Sequence, residues 1–357
     1  MEEKLEEGLN DERYSRLMAL ENMGVVDDYS IVMKKTILVV GVGGVGSVVS
    51  EMLVRCGIDK LVIIDFDIVE LSNMNRMFYN MHHIGMYKID ACVDSLKLIN
   101  PKINIEGHKI NIVQEYSEFK NILKTKNIDL LVSCVDNYSA RSIICQTCNE
   151  YNISWFESGV SENATSGHIQ LIVPGLTACY CCAPPLITFD DDISEDKITS
   201  IIIKPYPTKT SSKRSSRTCA ASLSTTTSII AGILVNNILK HFLNFGEKSN
   251  FLGYHMKDDY FPRYTIIPNS ECNDKWCLIR QKEKESMISK QKVESTSCKE
   301  KSIPSDSRSG IHVSCAEFEV IESNAMESTK QFECLNSLSI AELVEKLDEI
   351  SIRKNSS

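Results

Sequence analysis

Apolar positions fall in two rhythms along this chain. Short β-branched runs at 36–40 (TILVV) and 61–64 (LVII) carry no polar interruption, the pattern of strands buried on both faces. Between them the chain passes through a glycine turn into a helical period. Further strands are expected in INIEGHKI near 103–110, DLLVSCVD at 129–136, ISWFESGV at 153–160 and SGHIQLIVP at 166–174. Helical segments separate the earlier ones, which predicts an α/β domain with a mostly parallel sheet. Residues 1–33 read as a helical extension, with RLMALENMGVV packing on the domain edge. The main domain then covers 34–280.

Two later stretches lose both rhythms. Residues 190–217 are polar and basic, as expected of a mobile crossover loop, and a long helix follows over roughly 223–244. From 281 to 357 Lys, Glu, Ser and isolated Pro dominate, which predicts a mostly disordered tail. Two islands interrupt it. AEFEVIES (316–323) sets Phe318 and Ile321 among acids and suits strand addition to a β-rich partner. SLSIAELVEKLDEI (337–350) aligns Ile340, Leu343, Val344, Leu347 and Ile350 on one helical face, a ligand for a partner's groove or for the body of the domain.

Composition narrows the partners. A 43% hydrophobic content over 357 residues supports a buried core, and a net charge of −9 argues against nucleic-acid binding. The acidic start MEEKLEEGLNDERYSRL has no apolar signal-peptide core, and SIIAGILVNNIL (228–239) is too short to span a membrane. A cytoplasmic protein, with the nucleus also open to it, is expected. In that reducing compartment 14 cysteines point to metal binding and catalysis rather than to disulfides.

The glycine turn carries the first chemistry. Gly41-x-Gly43-x-x-Gly46, with Gly44 inside it, follows a strand and opens a helix, and Asp65 ends the next strand. Backbone approaches phosphate there while the carboxylate accepts from ribose hydroxyls. The bare motif would suggest an NAD dehydrogenase. Asn73, Asn75 and Arg76 just beyond Asp65, with Lys88 on the next helix, suit a triphosphate better, because charge develops on phosphate when a carboxylate attacks. Surface salt bridges are the plainer role for Arg76 and Lys88. Asp136 is expected to hold Mg²⁺ at the end of its strand, and Asn137 to contact base or ribose.

The cysteines divide by spacing. Cys179-x₂-Cys182 and Cys272-x₄-Cys277 are two short-spaced pairs that suit tetrahedral structural zinc, with Cys181 as a competing ligand and buried free thiols as the alternative. Cys56, Cys92, Cys134, Cys145 and Cys148 fall on strands or apolar helix faces and are expected to be buried. Cys219 is different. In RTCAASLSTTTS it follows Arg214 and Arg217 and precedes a helix that Thr218 would cap, all of which lowers a thiol pKa. Read alone it is a core thiol, a stray ligand or a nucleophile. His168, a lone histidine on a strand, reads as a satisfied core or interface group rather than a base.

Taken together, GVGGVGS, DFDIVELSNMNR and SCVDNYSAR resemble the activating enzymes of ubiquitin-like modifiers and their bacterial sulfur-carrier adenylyltransferase relatives. YSRLMAL, ESGVSENATSGHIQL, CAPP, TCAASL and AGILVNNILKHFLNFG extend the resemblance over about 12–280, toward the compact single-chain members that serve the ubiquitin-fold modifier. It implies a Rossmann-like adenylation domain that adenylates the modifier's C-terminal glycine with ATP and captures it as a thioester on Cys219, with Arg76 at the reacting phosphate. By position it implies ATP held by Gly44, Asp65, Lys88, Asn111 and Asn137, and zinc held by Cys179, Cys182, Cys272 and Cys277. It further implies a homodimer in which Arg16 reaches the partner subunit's ATP, a catalytic-cysteine loop over 190–222, modifier binding at 316–323 and conjugating-enzyme binding at 337–350. Two features depart from the family pattern: a longer stretch between CAPP and Cys219, and Ser224 where proline is expected. The alternatives are a sulfur-carrier-type adenylyltransferase, which the binding tail argues against, and a non-catalytic partner subunit, which intact Arg76, Lys88, Asp136 and Cys219 argue against.

Overall fold

The β-branched runs form the centre of one sheet. The computed structural model describes residues 2–182 and 221–297, with side chains described over 12–182 and 221–287. These residues belong to a compact unit, Met1–Lys299. Strands β1 (Thr36–Val40), β2 (Lys60–Ile64), β3 (Asn104–His108), β4 (Leu130–Ser133) and β5 (Trp155–Val160) pair in parallel. Strands β6 (Ser166–Ile172), β7 (Phe251–His255) and β8 (Arg263–Tyr264) add antiparallel beyond β5. The spatial order is β3-β2-β1-β4-β5-β6-β7-β8, so chain direction across the sheet reverses between β1 and β4. That is the place where an open α/β sheet leaves a crevice at its strand ends.

Alternation along the central strands builds a core on each face. Ile37, Val39, Leu61, Ile63 and Val132 point to one side, and Leu38, Val40, Val62, Ile64 and Leu131 to the other. The first side is covered by α2 (Gly44–Arg55), α3 (Lys88–Ile99) and α6 (Ser224–Leu243), through Leu53, Leu96, Leu234 and Ile238. The second is covered by α4 (Tyr116–Thr125) and α5 (Tyr138–Tyr151), through Phe119, Ile122, Ile143 and Ile144. The remaining α-helices among the described residues are α1 (Glu2–Asn22) and α7 (Lys275–Ser297). No helix among the described residues is long and apolar enough to cross a membrane.

Four expectations change. The amino-terminal extension is not peripheral throughout, since Tyr29 and Val32 of a 3-10 turn (Tyr29–Lys34) are fully buried in the core. Strand β4 ends at Ser133, so Asp136 sits three residues beyond the strand and not at its end. Helix α6 starts at Ser224 after an N-cap at Leu223, so Thr218 does not cap it. Helix α7 continues through 281–297, where composition predicts a disordered tail from 281. Gln, Lys, Glu and Met are strong helix formers, and a polar helix and a linker share that composition. Thr218, Cys219, Arg214, Arg217, the loop over 190–217 and both tail segments lie outside the described residues.

Candidate functional site

The crevice between β1 and β4 is lined first by backbone. Gly41 takes φ +86°, and a Cβ there would stand 2.7 Å from the Cys134 carbonyl oxygen of the neighbouring strand end. A Cβ on Gly46 would run into the Gly41 carbonyl, so neither position admits another residue. Helix α2 opens at Gly44, and its N-cap Gly43 supplies no side-chain hydrogen bond. The first-turn amides of α2 have no acceptor inside the helix and face the crevice with the positive end of its dipole.

Charged side chains gather around this turn. Asp65 accepts from the Val42 amide through Oδ2 and from the Asp67 amide through Oδ1, both at 2.8 Å. Burial holds its carboxyl above the ordinary carboxylate value, with Lys88 and those two amides offsetting only part of the rise. Lys88 is buried and its Nζ lies 2.6 Å from Asp67 Oδ2. Tyr79 Oη donates to the Val42 carbonyl and fixes the loop from below. Arg76 Nη1 lies 3.3 Å from the position of a Cβ on Gly43. Its Nε is buried without a hydrogen-bond partner among the described residues. An unpaired guanidinium N–H beside uncapped helix amides is what a phosphate would satisfy.

The other nucleotide residues take distinct places. Asn73 turns inward, its Oδ1 accepting from the Glu70 amide at 3.2 Å, and so shapes the turn that presents Arg76. Asn137 caps α5 by accepting from Ala140 N at 2.8 Å, and both it and Asp136 beside it are exposed. Asn111 holds the loop after β3, accepting from Val113 N at 3.0 Å. Arg16 is not brought to the cleft. Helix α1 packs where α2 and α3 end, with Tyr14 against Gly57 and Tyr14 Oη accepting from Asn100 Nδ2 at 3.0 Å, at the opposite end of the sheet.

Some functional contacts were not legible in the sequence. Asn75 Nδ2 donates to the Ser222 carbonyl at 2.8 Å, and Thr227 Cγ2 lies 3.3 Å from the position of a Cβ on Gly44. These tie the chain just beyond Cys219 to the phosphate turn. Asp67 was visible as the second acid of the D-x-D pattern but not as the partner of Lys88. Arg141 donates to the Val135 carbonyl at 3.0 Å and its Nε lies 3.1 Å from Glu157 Oε1, linking the Asp136 loop to β5. His168 fulfils its expected part as a satisfied group, its Nε2 lying 2.6 Å from Glu157 Oε2 while its ring stacks on Phe251. A cavity of about 290 Å³ opens beside it, bounded by Arg141, Gly159, Gly167, Gly253 and Tyr264.

Glu157 supports a prediction. Its carboxyl is fully buried; burial raises its pKa, but His168 and Arg141 outweigh that and hold it below the ordinary carboxylate value. A lowered folded pKa contributes stability that is present above the unfolded value of about 4.3 and is lost as pH falls through the folded one. Glu157→Gln is expected to cost about 3 kcal/mol at pH 7, because Arg141 is left without its carboxylate. Part of the acid-induced loss of stability should vanish in the variant, which denaturant titrations between pH 3 and 7 would measure.

The four spaced cysteines converge. Cys179 Sγ lies 3.6 Å from Cys182 Sγ and 3.7 Å from Cys272 Sγ, and Cys182 Sγ lies 3.7 Å from Cys277 Sγ. Zinc–sulfur bonds of about 2.3 Å in a tetrahedron give sulfur–sulfur edges of about 3.8 Å, so this donor set fits zinc. Backbone and side-chain donors face the sulfurs, with Asn269 N at 3.4 Å from Cys182 Sγ and Gln281 Nε2 at 3.3 Å from Cys277 Sγ. The thiols of buried Cys92 and Cys148 and of Cys134, a residue only half-buried where burial was expected, are pushed up by burial, Cys134 to about 12, and are inert at neutral pH. Cys56 is half-buried, and burial pushes its thiol up as well.

Comparison with known proteins follows the same lines. The ThiF family pattern matches residues 14–275. The chain is 49% identical over 278 residues to "Ubiquitin-like modifier-activating enzyme 5" of Drosophila mojavensis, covering 76% of this chain and 66% of the relative. It is 48% identical over 288 residues to the protein of the same name in Caenorhabditis elegans, covering 79% of this chain and 65% of the relative. The match thus spans just under two thirds of these relatives' length. Among solved structures, E. coli MccB with MccA-N7isoASN superposes at a TM-score of 0.58 with 19% identity, over 74% of each chain. E. coli MccB with ATP superposes at 0.54 with 19% identity, over 69% of this chain and 68% of that one. The structural likeness speaks for the fold, and the pattern match over most of the chain settles the family: this protein belongs to the ThiF family.

Proposed function

We propose that this chain activates a ubiquitin-like modifier, the ubiquitin-fold modifier, in two steps. A carboxylate oxygen of the modifier's C-terminal glycine attacks the α-phosphorus of ATP, and pyrophosphate leaves. The Cys219 thiolate then attacks the acyl carbon of the adenylate, AMP leaves, and the thioester passes to a conjugating enzyme. The α2 amides and Arg76 neutralise the charge that develops on phosphate, Asp65 orients ribose, and Lys88 holds the Asp65–Asp67 pair in place. Asn111 and Asn137 border the nucleotide. Asp136 would hold Mg²⁺, whose charge screens the phosphates against the incoming carboxylate.

The observation that carries this reading is the hydrogen bond from Asn75 to Ser222. Cys219 is three residues from Ser222, and three residues span at most about 10 Å of extended chain. The anchoring of Ser222 at the phosphate turn supports Cys219, three positions earlier in sequence, as the nucleophile that serves this cleft.

Zinc at Cys179, Cys182, Cys272 and Cys277 would fasten α7 to the knuckle before the undescribed loop. A homodimer is supported by two features. Phe66, Ile68, Leu71, Met77, Met81 and Ile84, exposed among the described residues, fall in one stretch of sequence next to the nucleotide turn, the kind of apolar grouping that marks an interaction surface. Arg16 lies on α1, which packs through Tyr14 where α2 and α3 end, and this placement supports a role at a partner subunit's cleft. The setting is cytoplasmic. Segments 316–323 and 337–350 bind the modifier and the conjugating enzyme.

Labelled pyrophosphate exchange tests the first step. With Mg²⁺ and ATP, label should enter ATP when the modifier is present and not when its C-terminal glycine is deleted. Exchange that ignores the modifier, or none at all, would overturn the reading.

A further inference from the structure

The zinc knuckle holds more thiols than one tetrahedral ion can use. Cys145 projects from α5 toward it, and Cys181 lies on the knuckle between Tyr180 and Cys182. The sulfurs of Cys145, Cys179 and Cys181 all lie within 4.8 Å of one another, as do those of the four spaced cysteines. Cys179 belongs to both groups. Cys145 is fully buried and Cys181 half-buried.

We propose that Cys145 and Cys181, sharing Cys179 as a bridging thiolate, form a second metal site that takes a second zinc ion. A thiolate sulfur keeps enough lone pairs to bind two soft ions at once, so Cys179 need not leave the first site to serve the second. Charge favours a divalent ion. One further Zn²⁺ brings two positive charges against the two thiolates it recruits, so the buried cluster keeps the net charge of a single four-cysteine site. A monovalent ion would leave one more negative charge in the interior, where charge is costly. The surroundings are built for thiolate as well. Asn149 Nδ2 donates to Cys145 Sγ at 3.7 Å and to Asp274 Oδ2 at 2.6 Å, so one amide fixes both the ligand and the residue that starts α7. Packing alone does not require this arrangement: Cys148, on the same buried helix, contributes to no such group.

This inference rests on the four-cysteine zinc reading, and metal stoichiometry separates the two. The full chain, expressed with zinc and passed into metal-free buffer, should carry about two zinc ions per chain by atomic emission. Cys181→Ser and the Cys145→Ala/Cys181→Ala pair should each lower this to about one. One ion in the unaltered chain would overturn the second site and leave the first standing. None would overturn both, and two in the paired variant would also overturn the proposal. Should Cys145→Ala disturb folding, the half-buried Cys181→Ser gives the same reading. Native alkylation provides a second measure: Cys181 should be protected in the zinc-loaded chain and label after a chelator is added. Equal labelling before and after would contradict the site.

Discussion

Cys219→Ala is expected to abolish every covalent adduct between this chain and its modifier while pyrophosphate exchange continues. The two half-reactions use different groups. In the proposed reading adenylation draws on the α2 amides, Arg76 and the Asp65–Lys88–Asp67 set, and the thiol enters only at the second step. Thioester formation needs a thiolate within reach of the adenylate, and the Asn75–Ser222 bond fixes Ser222 beside the phosphate turn. The other described thiols near the cleft cannot substitute. Cys134 lies beneath the glycine turn with its thiol pushed up to about 12 by burial, so it is neither ionised nor free to move at neutral pH. An adduct that survives in Cys219→Ala and is cleaved by reducing agent would assign the nucleophile to another cysteine.

Arg76→Ala should slow adenylation by about 10²–10³-fold, roughly 3–4 kcal/mol of lost transition-state stabilisation. The loss should fall mainly on kcat, because negative charge on phosphate grows as the carboxylate attacks and the guanidinium meets that growth. Arg76 suits this measurement better than Lys88. Lys88 is buried against Asp67 at 2.6 Å, so its removal leaves acids unpaired and lowers stability together with activity. The Nε of Arg76 has no partner to abandon among the described residues. A loss under about fivefold, or one confined to the KM for ATP, would mean that Arg76 holds ground-state phosphate and does not act on the reacting centre.

The parts of this site that are local in sequence were legible there. A glycine turn between two buried strands can be read because its spacing is a local signature, as with Gly46 packed against the Gly41 carbonyl, although Gly41 itself answers to Cys134 across the sheet. The two cysteine pairs can be read because chelation fixes short spacings, although joining them across more than 80 residues of chain needed the chemistry of zinc rather than any pattern. Long-range polar contacts were not legible. Nothing in SNMNR says that Asn75 reaches a carbonyl 147 positions later, or that Arg141 bridges the Asp136 loop to Glu157. The second thiol group was hidden for the same reason, since Cys145 looks like any buried helix cysteine until α5 is set beside the knuckle. Helix α7 was misread because polarity without periodicity describes an exposed helix as well as it describes a linker.

Transfer of the modifier onto this chain is the central claim, and intact mass under non-reducing conditions tests it most directly. The full chain, ATP, Mg²⁺ and the ubiquitin-fold modifier should give a species equal to the two proteins joined with loss of one water. It should disappear on addition of thiol and fail to form when ATP is omitted or the modifier's terminal glycine is removed. If the chain consumes ATP with the modifier present yet never gains its mass, it adenylates without capturing the product, and the assignment of an activating enzyme is wrong.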